Sequence, residues 1–416
     1  MRARSFGAFG VLALSAFALG CRDDAASPTE SAPLTPAENP SAAVALGLWQ
    51  VSSGAEHTCG VTTNNLAYCW GYNEFGQLGE GTNTGPEPCS GAVGPFPCST
   101  RPVLVAGGHR FRQVSAGSFH TCGVTTEFRL YCWGSNDDGA LGDGTTTQRL
   151  TPVAVAGGRQ FRQVDVGYSH TCGVTTDKRA FCWGNNVYGQ LGDGTTTQRL
   201  TPVAVAGGLT FKQVSAGTGH YYFTCGVTTT NRAYCWGRNN YGQLGDSTEA
   251  VRRVRPSLVA GGRQYRQVDA GYYHACGVTS DHRAYCWGHG RYGQIGNGQT
   301  YLSFWPRAVS GGLSFRRVSA ASSHTCGETT TNLAYCWGLN TYGQLGDGTT
   351  TQRLRPVAVI GGARFAQLSA GDFHTCGKTS AAVAYCWGDG FFGQLGNGNS
   401  SFGAVALTPD RVLGPM

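Results

Sequence analysis

A pair of cysteines ten positions apart recurs seven times along this chain, and this repetition constrains the fold more than any other feature. The first pair lies in the stretch HTCGVTTNNLAYCWG, from His57 to Gly71. The first cysteines of the seven pairs are Cys59, Cys122, Cys172, Cys225, Cys276, Cys326 and Cys376. Because most steps between them are 50 or 51 residues, the sequence predicts an array of similar structural units.

Each unit contains four short segments with the character of strands. In the second unit these are QVSAG at 113–117, the two halves of the cysteine stretch, and TPVAVAGG at 151–158. The 64 glycines suit tight turns, and 13% charged residues is low for a chain with long surface helices. We therefore expect an all-β fold, a seven-bladed β-propeller with four short antiparallel strands per blade. It should occupy residues 46–416, with a loop insertion at 84–100 in the first unit.

The repeated segments also resemble a known family. WGNNVYGQLGDGT (183–195) and WGLNTYGQLGDGT (337–349), together with the AG-x-x-HTCGVTT pattern, resemble the regulator of chromosome condensation repeat. The resemblance extends over the seven units and implies a seven-bladed β-propeller. It does not by itself imply a function, because one fold hosts many activities.

The paired cysteines favour a structural disulfide in each unit. If the first pair lies opposed on a hairpin, Thr58 faces Trp70 and Gly60 faces Tyr68. The Cα atoms of two residues that face each other across such a hairpin lie close enough for a disulfide bond. Reduced thiols are an alternative, and a metal site is disfavoured because pairs on seven blades do not converge on one ion.

The predicted disulfides use sixteen of the seventeen cysteines. Two of them close the inserted loop on itself, and these are Cys89 and Cys98. The other fourteen form the pairs of the seven units, namely Cys59 and Cys69, Cys122 and Cys132, Cys172 and Cys182, Cys225 and Cys235, Cys276 and Cys286, Cys326 and Cys336, and Cys376 and Cys386.

The N-terminus predicts export. Residues 1–20 combine a basic start with an apolar core, as in a signal peptide, and are followed by a cysteine in the stretch ALGC. This stretch resembles a bacterial lipoprotein signal, in which Cys21 becomes lipidated and 21–45 forms a flexible tether. Cleavage by ordinary signal peptidase is the alternative. The seventeenth cysteine has no partner, which favours lipidation. We expect a cell-envelope protein anchored at the outer membrane or cell surface, or otherwise a secreted one.

The repeated histidines and aspartates do not predict catalysis. His57, His120, His170, His220, His274, His324 and His374 hold one position in each unit, so we expect a ring in which each bonds a local backbone group. The GDG aspartates are predicted to be turn residues. No catalytic set, cofactor site or metal site is predicted. The net charge of +7 is not clustered into runs, so we expect no nucleic-acid partner and a monomer that meets the membrane only through its anchor.

The candidate partner-binding residues lie where the seven copies diverge, just before the repeated histidine. Aromatic residues are frequent there, and strand ends and loops of one rim should bring them together. Exposed aromatic groups with little charge are typical of a protein or glycan contact surface, although packing between blades is the alternative. The candidates are Phe119, Tyr168, Tyr221, Tyr222, Phe223, Tyr272, Tyr273 and Phe373.

These observations predict a non-enzymatic, exported binding or scaffold propeller that presents variable rim loops to a protein or glycan. An inhibitor of an extracellular or periplasmic enzyme is the alternative, by analogy with a propeller-type β-lactamase inhibitor. The family resemblance also implies guanine-nucleotide exchange, but an exported chain has no access to the nuclear GTPase. The plant ultraviolet photoreceptors carry Gly-Trp-Arg-His-Thr before the second strand, and no unit here has that tryptophan.

Overall fold

A computed structural model describes residues 46–91, 94–220, 222–401 and 403–415. The predicted signal peptide (1–20), the lipidation site Cys21 and the tether (21–45) lie outside the described residues. The remaining chain is all-β, and its strands form seven antiparallel sheets in chain order. The expected seven-bladed propeller with four antiparallel strands per blade is therefore confirmed.

Each blade is a meander whose first strand lies innermost. Blade 1 contains β1 (Leu48–Ser53), β2 (His57–Thr62), β3 (Ala67–Tyr72), β4 (Glu87–Gly91) and β5 (Gly94–Leu104). Blade 2 contains β6 (Phe111–Ala116), β7 (His120–Thr125), β8 (Leu130–Gly134) and β9 (Arg149–Ala154). Blade 3 contains β10 (Phe161–Val166), β11 (His170–Thr175), β12 (Ala180–Gly184) and β13 (Arg199–Ala204).

The later blades repeat this order. Blade 4 contains β14 (Phe211–Ala216), β15 (Phe223–Thr228), β16 (Ala233–Arg238) and β17 (Arg252–Leu258). Blade 5 contains β18 (Tyr265–Ala270), β19 (His274–Thr279), β20 (Ala284–Gly288) and β21 (Ser303–Ala308). Blade 6 contains β22 (Phe315–Ala320), β23 (His324–Thr329), β24 (Ala334–Gly338) and β25 (Arg353–Ala358). Blade 7 contains β26 (Phe365–Ala370), β27 (His374–Thr379), β28 (Ala384–Asp389) and β29 (Val405–Arg411).

The insertion at 84–100 is a hairpin rather than the expected loop. β4 pairs with the first half of β5, with Glu87 opposite Cys98 and Cys89 opposite Phe96. It adds a fifth strand to blade 1. A disulfide between Cys89 and Cys98 links its two strands, with Cα atoms 5.8 Å apart.

The repeated cysteine pairs staple the second strand of every blade to the third. In blade 1 the two cysteines face each other, Thr58 faces Trp70 and Gly60 faces Tyr68, which is the register that the spacing predicts. The seven hairpin disulfides have Cα–Cα distances of 4.0–4.1 Å. They are Cys59–Cys69, Cys122–Cys132, Cys172–Cys182, Cys225–Cys235, Cys276–Cys286, Cys326–Cys336 and Cys376–Cys386. Each closes a short loop, which should stabilise the fold by about 2–3 kcal/mol in the chain-entropy picture.

Tryptophan and glycine join each blade to the preceding one. Trp133 on β8 is fully buried, and its Nε1 donates to the carbonyl of Gln77 in blade 1 at 2.9 Å. Gly79 has a φ of +71°, and a Cβ there would lie 2.6 Å from Nε1 of Trp133. A side chain at this position would therefore displace the indole. The FGQLG loop (75–79) of blade 1 therefore holds the tryptophan of the next blade in place.

Glutamine side chains close the ring around a central channel. Gln50 on β1 donates from Nε2 to the carbonyl of Val114 at 2.8 Å and accepts from its N–H at 3.0 Å. The same clasp joins blade 7 to blade 1, where Gln367 donates to Val51 at 2.9 Å and accepts from its N–H at 3.2 Å. The hydrogen bonds at this closing seam thus match those between consecutive blades, except between blades 6 and 7, where Arg317 takes the place of the glutamine.

Antiparallel pairing gives the propeller two distinct faces. Loops between the first and second strands, and between the third strand and the outermost strand, emerge on one side, which we call the aromatic face. Turns between the second and third strands, and the connections between blades, emerge on the other side, which we call the basic face. The inner strands run from the basic face to the aromatic face, so the channel has one mouth on each.

Candidate functional site

Aromatic side chains contact one another along much of the aromatic face. Phe119 lies between Phe75 and Tyr168, with ring centroids 5.2 and 5.5 Å away. Tyr168 also contacts Tyr222 at 5.9 Å, and Tyr222 stacks on Tyr188 at 5.8 Å. This row crosses blades 1 to 4. It continues across blade 1 through Tyr72, Phe96, Phe391 and Phe392.

The other candidates form two smaller groups on the same face. Tyr273 contacts Tyr241 at 5.7 Å and Tyr272 at 5.9 Å. Phe373 lies 5.3 Å from Tyr342 and is 39% exposed. Phe119, Tyr168, Tyr222, Tyr272 and Tyr273 are half-buried. These candidates thus pack against neighbouring rings and leave part of their surface in solvent, and their role as a contact surface stays a prediction.

Blade 4 overturns two of the expectations. Phe223 is fully buried and pairs with Gly237, the place that histidine holds in the other blades, so it cannot contact a partner. His220 is exposed and stacks on Tyr168 at 3.9 Å, so it is not a member of the histidine ring. The three-residue insertion before β15 shifts the motif histidine out of the strand. Tyr221 lies outside the described residues.

The other six repeated histidines are buried between blades. Their Nε2 atoms lie 2.8–2.9 Å from a threonine Oγ1 on the next blade, rather than bonding a local backbone group as expected. The pairs are His57–Thr121, His120–Thr171, His170–Thr224, His274–Thr325, His324–Thr375 and His374–Thr58. Burial lowers the pKa of each of these histidines to about 3.

The bonding pattern fixes the tautomer of these histidines. Thr121 donates its hydroxyl to the carbonyl of Gln77 at 2.9 Å, so it must accept from His57. The proton of His57 therefore sits on Nε2, and Nδ1 is buried with no hydrogen-bond partner among the described residues. A neutral imidazole held in this way serves as a clasp between blades. Its reactive nitrogens are out of reach of a ligand.

Carboxyl groups gather near the centre of the aromatic face. Asp372 is buried, and its carboxylate accepts a hydrogen bond from the Tyr272 hydroxyl. Burial, with a smaller effect of Glu56, raises the pKa of Asp372 to about 8, although the hydrogen bond from Tyr272 acts to lower it. Burial, then Asp389 and Glu74, raise the pKa of Glu56 to about 7. These groups act on one another because blade 7 adjoins blade 1.

This acidic centre is a correction, because no carboxylate pair was predicted. Glu56 and Asp372 occupy the same two variable positions before the histidine from which the aromatic candidates were drawn. Each of these two residues is visible in the sequence as a departure from the repeat. Their proximity was not predictable, because more than 300 residues separate them along the chain. The closed ring of blades supplies the proximity.

Basic side chains recur on the opposite face, and those of blades 5 and 6 reach the channel mouth. The second residue of the inner strand is Arg112, Arg162, Lys212, Arg266 or Arg316 in five blades, and Trp49 or Ala366 in the others. Each is separated from the next by about one repeat, so no basic run is visible in the sequence. The ring of blades nevertheless places all five on the basic face, where Arg266 and Arg316, with the neighbouring Arg317, line the channel mouth.

The part of the chain that the structure describes holds neither a metal centre nor a membrane-spanning helix. Within it, no group of three or more His, Cys, Asp or Glu side chains could hold a metal ion. No described helix has the length and apolar character needed to cross a membrane.

The geometry defines a disulfide-stapled repeat propeller with two chemically different faces. A family model described as RCC1-like domain matches residues 5–311, more than half of the chain, so the protein belongs to this family. Models of the regulator of chromosome condensation (RCC1) repeat also match residues 332–377, and 315–344 with 365–394.

Known relatives share the repeat region. The chain is 31% identical over 253 residues to the ultraviolet-B receptor UVR8 of Arabidopsis thaliana, a match covering 60% of this chain and 55% of UVR8. It is 29% identical over 265 residues to the human E3 ubiquitin-protein ligase HERC2, covering 61% of this chain and 4% of HERC2. The chain thus spans about half of the first relative and a small part of the second.

A solved structure agrees with the architecture. Prp20p from Saccharomyces cerevisiae superposes with a TM-score of 0.71 at 20% identity, covering 85% of this chain and 87% of that one. At this level of identity the likeness shows the fold alone.

Proposed function

We propose that the protein is a non-enzymatic, exported binding propeller whose aromatic face engages a protein partner. The observation that carries the proposal is the contact row of Phe119, Tyr168 and Tyr222 beside an acidic centre. These residues come from positions where the blades differ, on a frame that the blades share. Aromatic groups that are part exposed and held by neighbours lose little entropy on binding.

The chemistry of this face favours a partner segment with basic and apolar side chains. Glu56, Glu74 and Asp389 place carboxyl groups close enough to act on one another, and a basic group of a partner would favour their charged forms. Tyrosine rings attract cations across their faces. Arg238 already stacks over Tyr188 in this way, with its guanidinium 4.5 Å from the ring centroid. An arginine or lysine of a partner would meet the same chemistry. A neutral glycan would use the rings but gain little from the carboxylates.

Binding to purified candidates tests this proposal. Envelope and extracellular proteins captured by the full chain are identified by mass spectrometry, and affinity is then measured with each purified protein. Replacing Phe119, Tyr168 and Tyr222 by alanine should weaken binding at least about tenfold, because aromatic anchors carry most interface energy. Trp305→Ala is the matched control, because Trp305 is 44% exposed on the outermost strand β21. Equal loss in the control, or unchanged affinity in the triple variant, refutes the role of this face.

Electrostatics separates a protein partner from a neutral glycan. Glu56→Gln with Asp389→Asn should weaken a basic protein partner and reduce the salt dependence of its affinity. Binding of a neutral glycan would not respond to either change. A glycan array probed with the full chain tests the glycan alternative. Strong glycan binding in the absence of any protein partner would overturn the proposal of a protein partner.

Export is supported by the disulfides. The eight disulfides of the described residues fit an oxidising compartment, since thiols remain reduced in the cytosol. We propose that Cys21 carries a lipid anchor and that 21–45 is its tether. The intact mass of the native protein, before and after reduction, should show the paired cysteines oxidised and Cys21 acylated. A mass lacking the acyl groups, with a free thiol at Cys21, would favour a secreted form.

The partner could be an enzyme that the propeller blocks. Export and an aromatic face without a recognised catalytic set support this alternative, and assays against β-lactamases and transpeptidases test it. Uniform lack of inhibition removes it. We do not extend light sensing from UVR8 to this chain, because no unit carries the photoreceptor tryptophan. Guanine-nucleotide exchange is not extended either, because an exported chain does not meet the nuclear GTPase.

A further inference from the structure

The central channel is a well that opens on the basic face and is crossed by loops at its other end. Its cavity of about 490 Å³ is lined by Gln, Ser and Asp side chains, with Arg266, Arg316 and Arg317 at the open mouth. At the aromatic face, the Ser118 hydroxyl of blade 2 donates to the carbonyl of Thr218 in blade 4. The hydrogen bond between Tyr272 and Asp372 likewise joins blades 5 and 7. Both contacts span an intervening blade.

The inner strands line the well with one layer whose residues differ between blades. The layer below the glutamines consists of Ser52, Ser115, Asp165, Ser215, Asp269, Ser319 and Ser369. Each side chain accepts a hydrogen bond from a backbone N–H of the next blade, at 2.7–3.1 Å. Serine therefore completes the seam in five blades, and the two aspartates are not needed for it.

The two aspartates bring carboxyl groups into the wall of the well. Oδ2 of Asp165 and of Asp269 makes the seam bond, while Oδ1 lies 3.3 Å from a serine hydroxyl of the preceding inner strand. Neither aspartate belongs to an ion pair among the described residues. A part-buried carboxylate without a cation gains from further hydrogen-bond donors. A ligand with hydroxyl groups would supply such donors.

The same carboxyl groups hold protons more tightly than usual. Burial raises the pKa of Asp165 to about 6. Burial and then Asp165 raise the pKa of Asp269 to about 8. Hydroxyl donors would stabilise the charged forms and reverse these shifts in part.

The open mouth offers the complementary charge. Arg317 replaces the glutamine of the other six inner strands, so it lacks that clasp and places an exposed guanidinium at the mouth. Arg316 donates to the Asn332 side chain at 2.5 Å, but its Nε is buried with no hydrogen-bond partner among the described residues. Guanidinium groups bind carboxylates and phosphates through paired hydrogen bonds.

We infer that the well binds a small anionic sugar, a polyhydroxylated molecule carrying one carboxylate or phosphate group. Its anionic group lies at Arg266, Arg316 and Arg317, and its hydroxyls donate to Asp165 and Asp269 and bond the glutamine amides. The cavity volume falls within the range of small-molecule sites. This site lies on the opposite face from the proposed partner surface and does not depend on it.

Titration of the full chain with glucuronate, glucose 6-phosphate and glucose, followed by calorimetry and ligand-observed NMR, tests the inference. At least one anionic sugar should bind, and glucose should bind at least about tenfold more weakly because it lacks the charge-assisted bonds. A polyuronate is a further probe, because its binding would show that the well accepts the end of a polysaccharide as well as a free sugar. Absence of saturable binding by both anionic sugars, or equal binding of glucose, overturns the inference.

The equivalent residues of the other blades show which substitutions preserve the hydrogen bonds between blades. Asp165→Ser with Asp269→Ser installs the residue of the other five blades, and should weaken binding at least about tenfold with little change in thermal midpoint. Arg317→Gln with Glu328→Val installs the pair found in blades 1 to 5, and should also weaken binding. Arg162→Ala is the control, since Arg162 is exposed on the basic face but does not line the well. Unchanged affinity in the aspartate variant would show that the carboxyl groups serve the seam only.

Discussion

Six of the seven seams between blades use a histidine and a threonine, whereas the seam between blades 4 and 5 uses Phe223 and Ala275. Both halves of the pair change together: the blade that lacks histidine adjoins the blade that lacks threonine. Phe223 and Ala275 are fully buried in one apolar cluster. A seam therefore requires two side chains that fit each other, either histidine with threonine or phenylalanine with alanine. This supports a structural role for the repeated histidines.

Breaking the match at the apolar seam should give the largest effect. Phe223→His alone buries an imidazole opposite Ala275, where no threonine hydroxyl accepts its proton. We expect the free energy of unfolding to fall by about 3 kcal/mol, from lost apolar contact and an unpaired polar group. Denaturant unfolding with the disulfides intact measures it.

The double variant provides the decisive control. Phe223→His with Ala275→Thr recreates the pair of the other seams, so it should recover most of the loss. If the double variant is no more stable than the single one, the two positions are not coupled and the matched-pair interpretation is wrong.

Replacing one histidine–threonine pair by phenylalanine and alanine should change how the free energy of unfolding depends on pH. His170 has a pKa of about 3 in the folded protein against 6.5 for the free side chain. As pH falls below 6.5, the unfolded chain takes up a proton that the folded chain refuses, so stability is lost between pH 6.5 and 3. His170→Phe with Thr224→Ala removes one such proton.

This variant should therefore be favoured over the natural chain as the solution becomes acidic. Relative to their difference at about pH 7.5, the variant should gain about 2 kcal/mol in unfolding free energy at about pH 5, because that pH lies well below the pKa of a free histidine. The natural Phe223–Ala275 seam carries no group that titrates there. A stability difference that does not vary with pH would show that His170 is not kept neutral by burial.

The difference between the seams also shows which features were predictable from sequence. The period, the strand order and the cysteine register were predictable because each depends on residues within one repeat. His220 was misplaced because the insertion before Phe223 puts a histidine near the usual position but not in the strand. Ala275, where other blades have threonine, was the signal that could have revealed the exchange.

The two channel mouths were not predictable, for another reason. The acidic centre joins Glu56 to Asp372, and the basic mouth collects single residues such as Arg266 and Arg317 from separate repeats. Their proximity follows from closure of the ring, which brings together residues that no sequence window contains. The aromatic candidates were easier to find because divergence from a repeat is visible within each copy.

The seam between blades 6 and 7 differs from the others in the layer where glutamine usually lies. Between blades 6 and 7, Arg317 and Glu328 replace the glutamine and valine found in blades 1 to 5. Glu328 is buried, its Oε1 has no hydrogen-bond partner among the described residues, and burial raises its pKa to about 7 although Arg317 and Arg316 act to lower it. No ion pair joins Arg317 to Glu328 among the described residues, and the Glu328 carboxyl accepts from the N–H of Leu368. This seam therefore lacks the two-bond glutamine clasp that the others make.

Restoring the common pair should strengthen this seam modestly. In Arg317→Gln with Glu328→Val, the new glutamine can take over the hydrogen bond from the Leu368 N–H that Glu328 now accepts, and can also donate to the Leu368 carbonyl. An apolar group then replaces a buried carboxyl. We expect a gain of about 1 kcal/mol in the free energy of unfolding, since a hydrogen bond contributes about that much net. Gln267→Ala, which removes the same clasp at the seam between blades 5 and 6, should lose a similar amount. A less stable double variant would mean that Arg317 and Glu328 already stabilise this seam as well as the glutamine clasp does elsewhere.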